Sequence, residues 1–359
     1  MASLAILGCN RRLPDGVRHP IADSLASKGA VKIEIVVSDR EEPSPAADTS
    51  RVDAWQRLVV FGKAEGTVDE VLGKVADALM IGDRILILDS RANRVRVYDR
   101  GGNLLQSIGG PGKGPGEFSI PRAMTADPSE RIYVADEDRR IQRFRRAAGG
   151  WVYDTTLATQ FFPADACFSG ADLFMLGVFP GKSEVIHRLT QDGRLIGSFA
   201  IPYRTDEPTV RYLLNDGALA CGEDGVYLAL KYLPEVHRYS KDGGLVWVAR
   251  LERYEPLLVL QAPDGSVISG MDPDRGMVHE LLSFVPFDSA SLLLQLALQD
   301  RTSRQERRPY AAVETYVLSR QSGSGSYLGT GWPQVVAGGS GFLAYSEEPY
   351  PHAWLFSYR

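Results

Sequence analysis

Residues 84–109 read RILILDSRANRVRVYDRGGNLLQSIG, and residues 131–157 read RIYVADEDRRIQRFRRAAGGWVYDTTL. Each stretch runs an apolar strand, an Asp, a short polar turn, an alternating strand, a second turn and a further strand. The order returns at 172–200 (DLFMLGVFPGKSEVIHRLTQDGRLIGSFA), at 225–251 (GVYLALKYLPEVHRYSKDGGLVWVARL) and at 266–284 (SVISGMDPDRGMVHELLSF). The apolar residue that opens the third strand falls at Val95, Ile141, Ile186, Val236 and Val278, at intervals of 46, 45, 50 and 42 residues. Such intervals suit a four-stranded blade that cannot cover its own flanks and stacks sideways on copies of itself. Gly101-Gly102, Asp192-Gly193, Asp242-Gly243 and Asp264-Gly265 provide the positive φ that strand reversals need. Second strands such as Ile85-Leu86-Ile87-Leu88 are apolar on both faces, as expected of a sheet packed between two neighbours.

An open array would expose an unpaired edge. Residues 331–359 supply three short strands, near Gln334–Ala337, Phe342–Tyr345 and Ala353–Tyr358, and lack a fourth. Trp55–Gly62, WQRLVVFG, lies where LLQSIG lies one blade later and is expected to pair with Ala353–Tyr358. The chain therefore reads as all-β, a six-bladed β-propeller of four-stranded antiparallel blades, closed by an N-terminal strand that completes the last blade. Residues 31–359 form that single domain after a signal-like or linker segment at 1–30. The 75 residues from Val278 to Ala353 are one repeat plus about thirty, which places an insertion near 300–330. A seventh blade arises instead if Tyr310–Arg320 contributes strands; against that, the stretch lacks paired turn signals and ends in SGSGS.

Within 110–144, GPGKGPGEFSIPRAMTADPSERIYVADEDRRIQRF, the residues Gly116-Glu117-Phe118, Pro121, Ile132–Asp136 and Arg140-Ile141 stand as they do in NHL repeats. The resemblance covers the first two blades well, weakens across the third and fourth and is only topological in the fifth. The segment from Lys32 to Gly62, followed by Glu65-Gly66, resembles the amino-terminal part of bacterial six-bladed NHL-like proteins, many of them exported. Six blades are what this resemblance implies.

The 359 residues are 44% hydrophobic and 24% charged, enough apolar material for a large core. A formal net charge of −5 argues against a nonspecific nucleic-acid binder. The basic run Arg301, Arg304, Arg307 and Arg308, broken by Glu306, reads as a solvated loop. Leu292–Leu298 is too short to span a membrane. Ile6-Leu7-Gly8 before Cys9 resembles the box ahead of a lipidated cysteine, so either Cys9 carries a lipid or it is an ordinary residue. The first alternative makes the protein an extracytoplasmic, periplasmic or cell-surface lipoprotein; the second leaves it cytoplasmic. Cys167 and Cys221 lack metal-ligand spacing and read as buried thiols, although in an exported protein they could pair, since they fall on comparable strands of adjacent repeats.

Gly109–Gly116 fails as a phosphate loop because Gly112-Lys113 is followed by Gly114 rather than Ser or Thr. Asp89, Asp136 and Asp272 follow second strands and are assigned to turns. His187, His237 and His279 are placed at one third-strand position in three successive blades, on a wide circle rather than around one metal. Nucleophile elbows, zinc helices, Ca²⁺ loops and dinucleotide fingerprints do not occur. Counting back from each second strand places Asp77, Arg122, Asp165, Asp216, Trp332 and Gln334 near the inner-strand entrances, facing a central funnel that holds a ligand or water alone. The expectation is a non-catalytic binding or scaffold propeller for a protein, peptide or carbohydrate, monomeric, without cofactor or nucleic acid, and in contact with a membrane only through a lipid on Cys9. The alternative follows from the resemblance: six-bladed relatives include calcium-dependent lactonases and lyases, so Asp77, Asp165 and Asp216 would be Ca²⁺ ligands in a hydrolase or lyase.

Overall fold

The computed structural model describes residues 33–34, 55–203, 207–251, 254–261, 267–306, 308–339 and 341–358. Cys9 and the segment 1–30, together with Asp264-Gly265, lie outside the described residues. Among the described residues, six blade sheets, each built on four antiparallel strands, follow one another along the chain, and the fourth carries Ile33–Glu34 as a short fifth strand parallel to Leu245–Arg250. Their inner strands are Val75–Ile81, Pro121–Ala126, Phe162–Ser169, Gly217–Gly222, Met277–Pro286 and Gln334–Ala337. Each of these touches the next, and the last touches the first, so the sheets form a closed six-bladed propeller. Closure follows the expected route: Trp55–Phe61 pairs antiparallel with His352–Tyr358 as the fourth strand of blade 6.

The all-apolar second strands are explained by their two neighbours. In Arg84–Asp89, Ile85 and Ile87 pack with Phe61, Leu343, Tyr345 and Leu355 of blade 6, whereas Leu86 and Leu88 pack with Met124, Ile132 and Val134 of blade 2. Burying one such side chain contributes about 1.5–3 kcal/mol, so a blade is stable only between two others. Several polar side chains are bonded inside this core, although Arg96 Nε and Tyr98 OH have no hydrogen-bond partner among the described residues. Asp89 accepts the N–H groups of Gly73, Lys74, Arg91 and Ala92 and pairs with the fully buried Arg96 guanidinium. Asp136 likewise holds its turn, accepting from Asp138 N and pairing with Arg140 at 2.6 Å. Gln295 joins blade 5 to blade 6, donating to Pro333 O and accepting from Val335 N at 2.7 Å.

The fifth blade departs from the expected assignment. Val278 and His279 belong to its inner strand, not to a third strand, and Asp272 sits in the loop before it. The second strand is Ser291–Asp300; Leu292, Leu294 and Leu296 face blade 4, and Leu293 faces blade 6. Residues 300–330 are therefore not an insertion: a short helix, Arg301–Gln305, leads to Ala312–Ser319 and Gly325–Thr330, the third and fourth strands. The first three residues of the SGSGS run, Ser322–Ser324, lie in the tight turn between those strands, with Gly323 at φ 73°, and the last two open the fourth strand. Extra chain lies instead between blades 4 and 5, where Leu258–Gln261 and Val267–Gly270 form a separate two-stranded sheet. The seventh-blade alternative is excluded because Tyr310–Arg320 is used up in blade 5. Cys167 and Cys221, on the inner strands of blades 3 and 4, are joined by a disulfide rather than left as thiols.

Candidate functional site

All six inner strands line a central cavity of about 970 Å³, five of them through their first residues and Met277–Pro286 through Leu281–Val285. Five of the six nominated residues, Asp77, Arg122, Asp165, Asp216 and Gln334, lie on its wall. Trp332 does not: its ring is buried with Leu293, Val335 and Phe342 between blades 5 and 6.

A repeated backbone irregularity positions the deepest polar groups. Bulges fall between Val75 and Asp77, Pro121 and Ala123, Pro163 and Asp165, Leu281 and Ser283, and Val335 and Ala337. A bulge re-aims the residues around it, and on alternate blades the residue that follows it is polar. Asp77 accepts Ala78 N at 2.7 Å and, across the blade boundary, Met124 N at 2.6 Å. Asp165 repeats this with Ala166 N at 2.8 Å and Leu219 N at 2.6 Å. Ser283 takes the third such place and donates to Val335 O.

Burial pushes the Asp77 carboxyl well above its ordinary range, and the nearby Asp165 adds to the rise despite the two N–H donors. Asp165 is pushed up to about 6 by burial, against the N–H groups of Leu219 and Ala166, with Asp216 contributing repulsion. Asp216 is also raised by burial, with Lys231 opposing. Lys231 lies 3.1 Å from Glu280 and 3.8 Å from Asp216, and Arg122 pairs with Glu137. Among the described residues, neither Asp77 nor Asp165 is paired with Lys, Arg or His, and no group of three or more His, Cys, Asp or Glu could hold a metal ion.

At the mouth stand three large apolar side chains that sequence reasoning missed: Ile120, Phe162 and Tyr212 are 53%, 46% and 49% exposed, unusual for a wall that could have been polar. Tyr212 projects from the helix Pro208–Leu214, whose Val210 and Leu214 are buried against Leu230, Leu233, Leu257 and Val259. The signal for this helix was the 50-residue interval between Ile186 and Val236, which exceeds the other blade spacings. Ile120 and Phe162 carried no comparable mark.

The histidines do not converge. His187 bonds Ser198 Oγ and Gly177 O and stacks on Phe161, His237 bonds Glu235 and Tyr239, and His279 Nδ1 accepts from Glu255 N.

A family described as a six-bladed β-propeller matches residues 62–172. Among solved structures, a protein from Bacteroides fragilis described as exported is similar at 10% identity with a TM-score of 0.57, covering 86% of this chain and 96% of that one. Virginiamycin B lyase from Staphylococcus aureus is similar at 9% identity with a TM-score of 0.47, covering 84% and 98%. Hydrazine synthase from Kuenenia stuttgartiensis stands at 12% identity and a TM-score of 0.46, covering 76% of this chain and 73% of that one. The comparison with curated proteins gives no match. At such identities the first likeness is one of fold, and the other two carry no functional argument.

Proposed function

We propose that this chain is a non-catalytic binding propeller of NHL type that takes a protein, peptide or carbohydrate group into its channel. One observation carries the reading: a cavity bounded by all six blades keeps three large apolar side chains exposed at its mouth above polar groups fixed by backbone hydrogen bonds. Such a combination of apolar wall and few placed polar groups is what ligand recognition uses. An extracytoplasmic location is supported by the Cys167–Cys221 disulfide, which persists in an oxidising compartment.

The test compares wild type with Ala76→Trp, which fills the channel from an exposed wall position. Binding on peptide and glycan arrays is expected to disappear in the variant while its melting temperature stays near that of wild type, and added Ca²⁺ or EDTA is expected to leave both melts unmoved. Turnover of lactones, esters or glycans that Asp165→Asn or Asp216→Asn abolishes would make the protein an enzyme and overturn the reading.

A further inference from the structure

Asp77 and Asp165 hold carboxyl groups in a channel where, among the described residues, the cations are engaged elsewhere or stand at the rim. Arg122 is paired with Glu137, Lys231 lies between Glu280 and Asp216, and Lys74 stands exposed at the mouth. The backbone N–H groups that fix the two carboxyls satisfy one direction of each oxygen and bring no compensating unit charge. Repulsion runs along the wall, from Asp165 onto Asp77 and from Asp216 onto Asp165. A site so arranged lacks a positive charge and has room for one.

The mouth adds the second requirement. Ile120 is held at φ 56°, a left-handed conformation that a β-branched residue rarely adopts and that is strained. Its N–H donates to Asn93 Oδ1 at 3.2 Å, its carbonyl accepts from Glu137 N at 3.3 Å, and its side chain stays half-exposed over the cavity. Phe162 opens the inner strand of blade 3, with the Arg139 guanidinium 5.1 Å from its ring centre. Tyr212 stands on a helix that is anchored by its opposite face. Apolar surface surrounds the way in, and uncompensated carboxyls lie below it.

We propose, on the footing that the channel is the binding site, that its ligand is an ammonium group carried beside an apolar or aromatic group, the ammonium seated at Asp77 and Asp165 and the apolar part against Ile120, Phe162 and Tyr212. A peptide amino terminus with a large apolar first residue and a free aralkylamine share this chemistry.

Calorimetric titration of the full chain at neutral pH separates them with four probes: Phe-Ala amide, its N-acetyl form, phenethylamine and phenylpropionate. Phe-Ala amide is expected to bind, acetylation to weaken it about tenfold or more, and phenylpropionate not to compete. Asp165→Asn, and separately Phe162→Ala with Tyr212→Ala, are each expected to weaken binding about tenfold, with unchanged circular dichroism. Phenethylamine binding as tightly as the dipeptide amide assigns the site to free amines; weaker binding assigns it to peptide termini. Both outcomes support the ammonium. Equal binding of the acetylated probe, tighter binding of phenylpropionate, no effect of Asp165→Asn, or no binding of any probe overturns it. Acetylated or anionic probes that bind wild type and not Ala76→Trp would leave the channel as the binding site and remove only the charge assignment.

Discussion

Asp165 shows how one residue's environment sets a property of the whole chain. An ordinary carboxyl with a value of 3.8 loses its proton well before one held at about 6, so between those values the folded chain binds more protons than the unfolded chain. Stability from this group is therefore full below about pH 4, declines as pH rises to about 6, and stays reduced above it, by on the order of 2–3 kcal/mol. Asp165→Asn is expected to flatten that decline in urea unfolding curves recorded from pH 4 to pH 7. A slope equal to that of wild type would show that the carboxyl ionises freely in the folded state. The Asp at 165 was legible as a channel residue because its distance from the second strand repeats that of Asp77. Its bonding to Leu219, 54 positions later, was not, since no local pattern reports which strand comes to lie alongside.

Between elements, covalent and apolar contacts divide the work. The disulfide ties the inner strands of blades 3 and 4 across 54 residues of sequence and limits the freedom of the unfolded chain. Replacing both Cys167 and Cys221 by Ser is expected to cost about 2–4 kcal/mol, read as a lower melting temperature that matches wild type in reductant. Equal melts of the variant and unreduced wild type would show that the bond contributes nothing. Blade 5 was misread because strand identity was taken from tight Asp-Gly and Gly-Gly turns. Its connections use a short helix and a serine-rich turn instead, while the apolar run Leu292–Leu298, which opens like a second strand of blade 1, was weighed only as a membrane segment and dismissed as too short. The 42-residue spacing from Val236 misled as well, because it fell on Val278 of the inner strand while the third strand begins at Ala312. The stretch between blades 4 and 5 was extra, and the excess over one repeat was charged to the wrong side of Val278.

For the molecule as a whole, the closing strand decides whether there is a channel at all. Without Trp55–Phe61 the edge of His352–Tyr358 is bare, and Tyr98, Leu343 and Leu355 lose the cover of Phe61. A chain beginning at Gly62 is expected to elute as dimers or larger aggregates in size-exclusion chromatography, with a melting temperature below that of the full chain. A monomer of unchanged stability would mean that closure does not depend on this strand.

The repeat and the pairing of the two chain ends were determined by the sequence alone, because a periodic unit with two apolar flanks has a single economical way to hide them, and a missing fourth strand must come from the other terminus; six blades were favoured there, but only the structure excluded a seventh, by using Tyr310–Arg320 in blade 5. The tertiary structure alone decided which fixed carboxyls lack a countercharge among the described residues, that Cys167 meets Cys221, that Trp332 turns into a blade interface rather than the channel, and that Ile120, Phe162 and Tyr212 gather at one mouth. Those facts depend on how separate blades are rotated and brought against each other about the axis, and a local pattern of residues carries no record of that rotation.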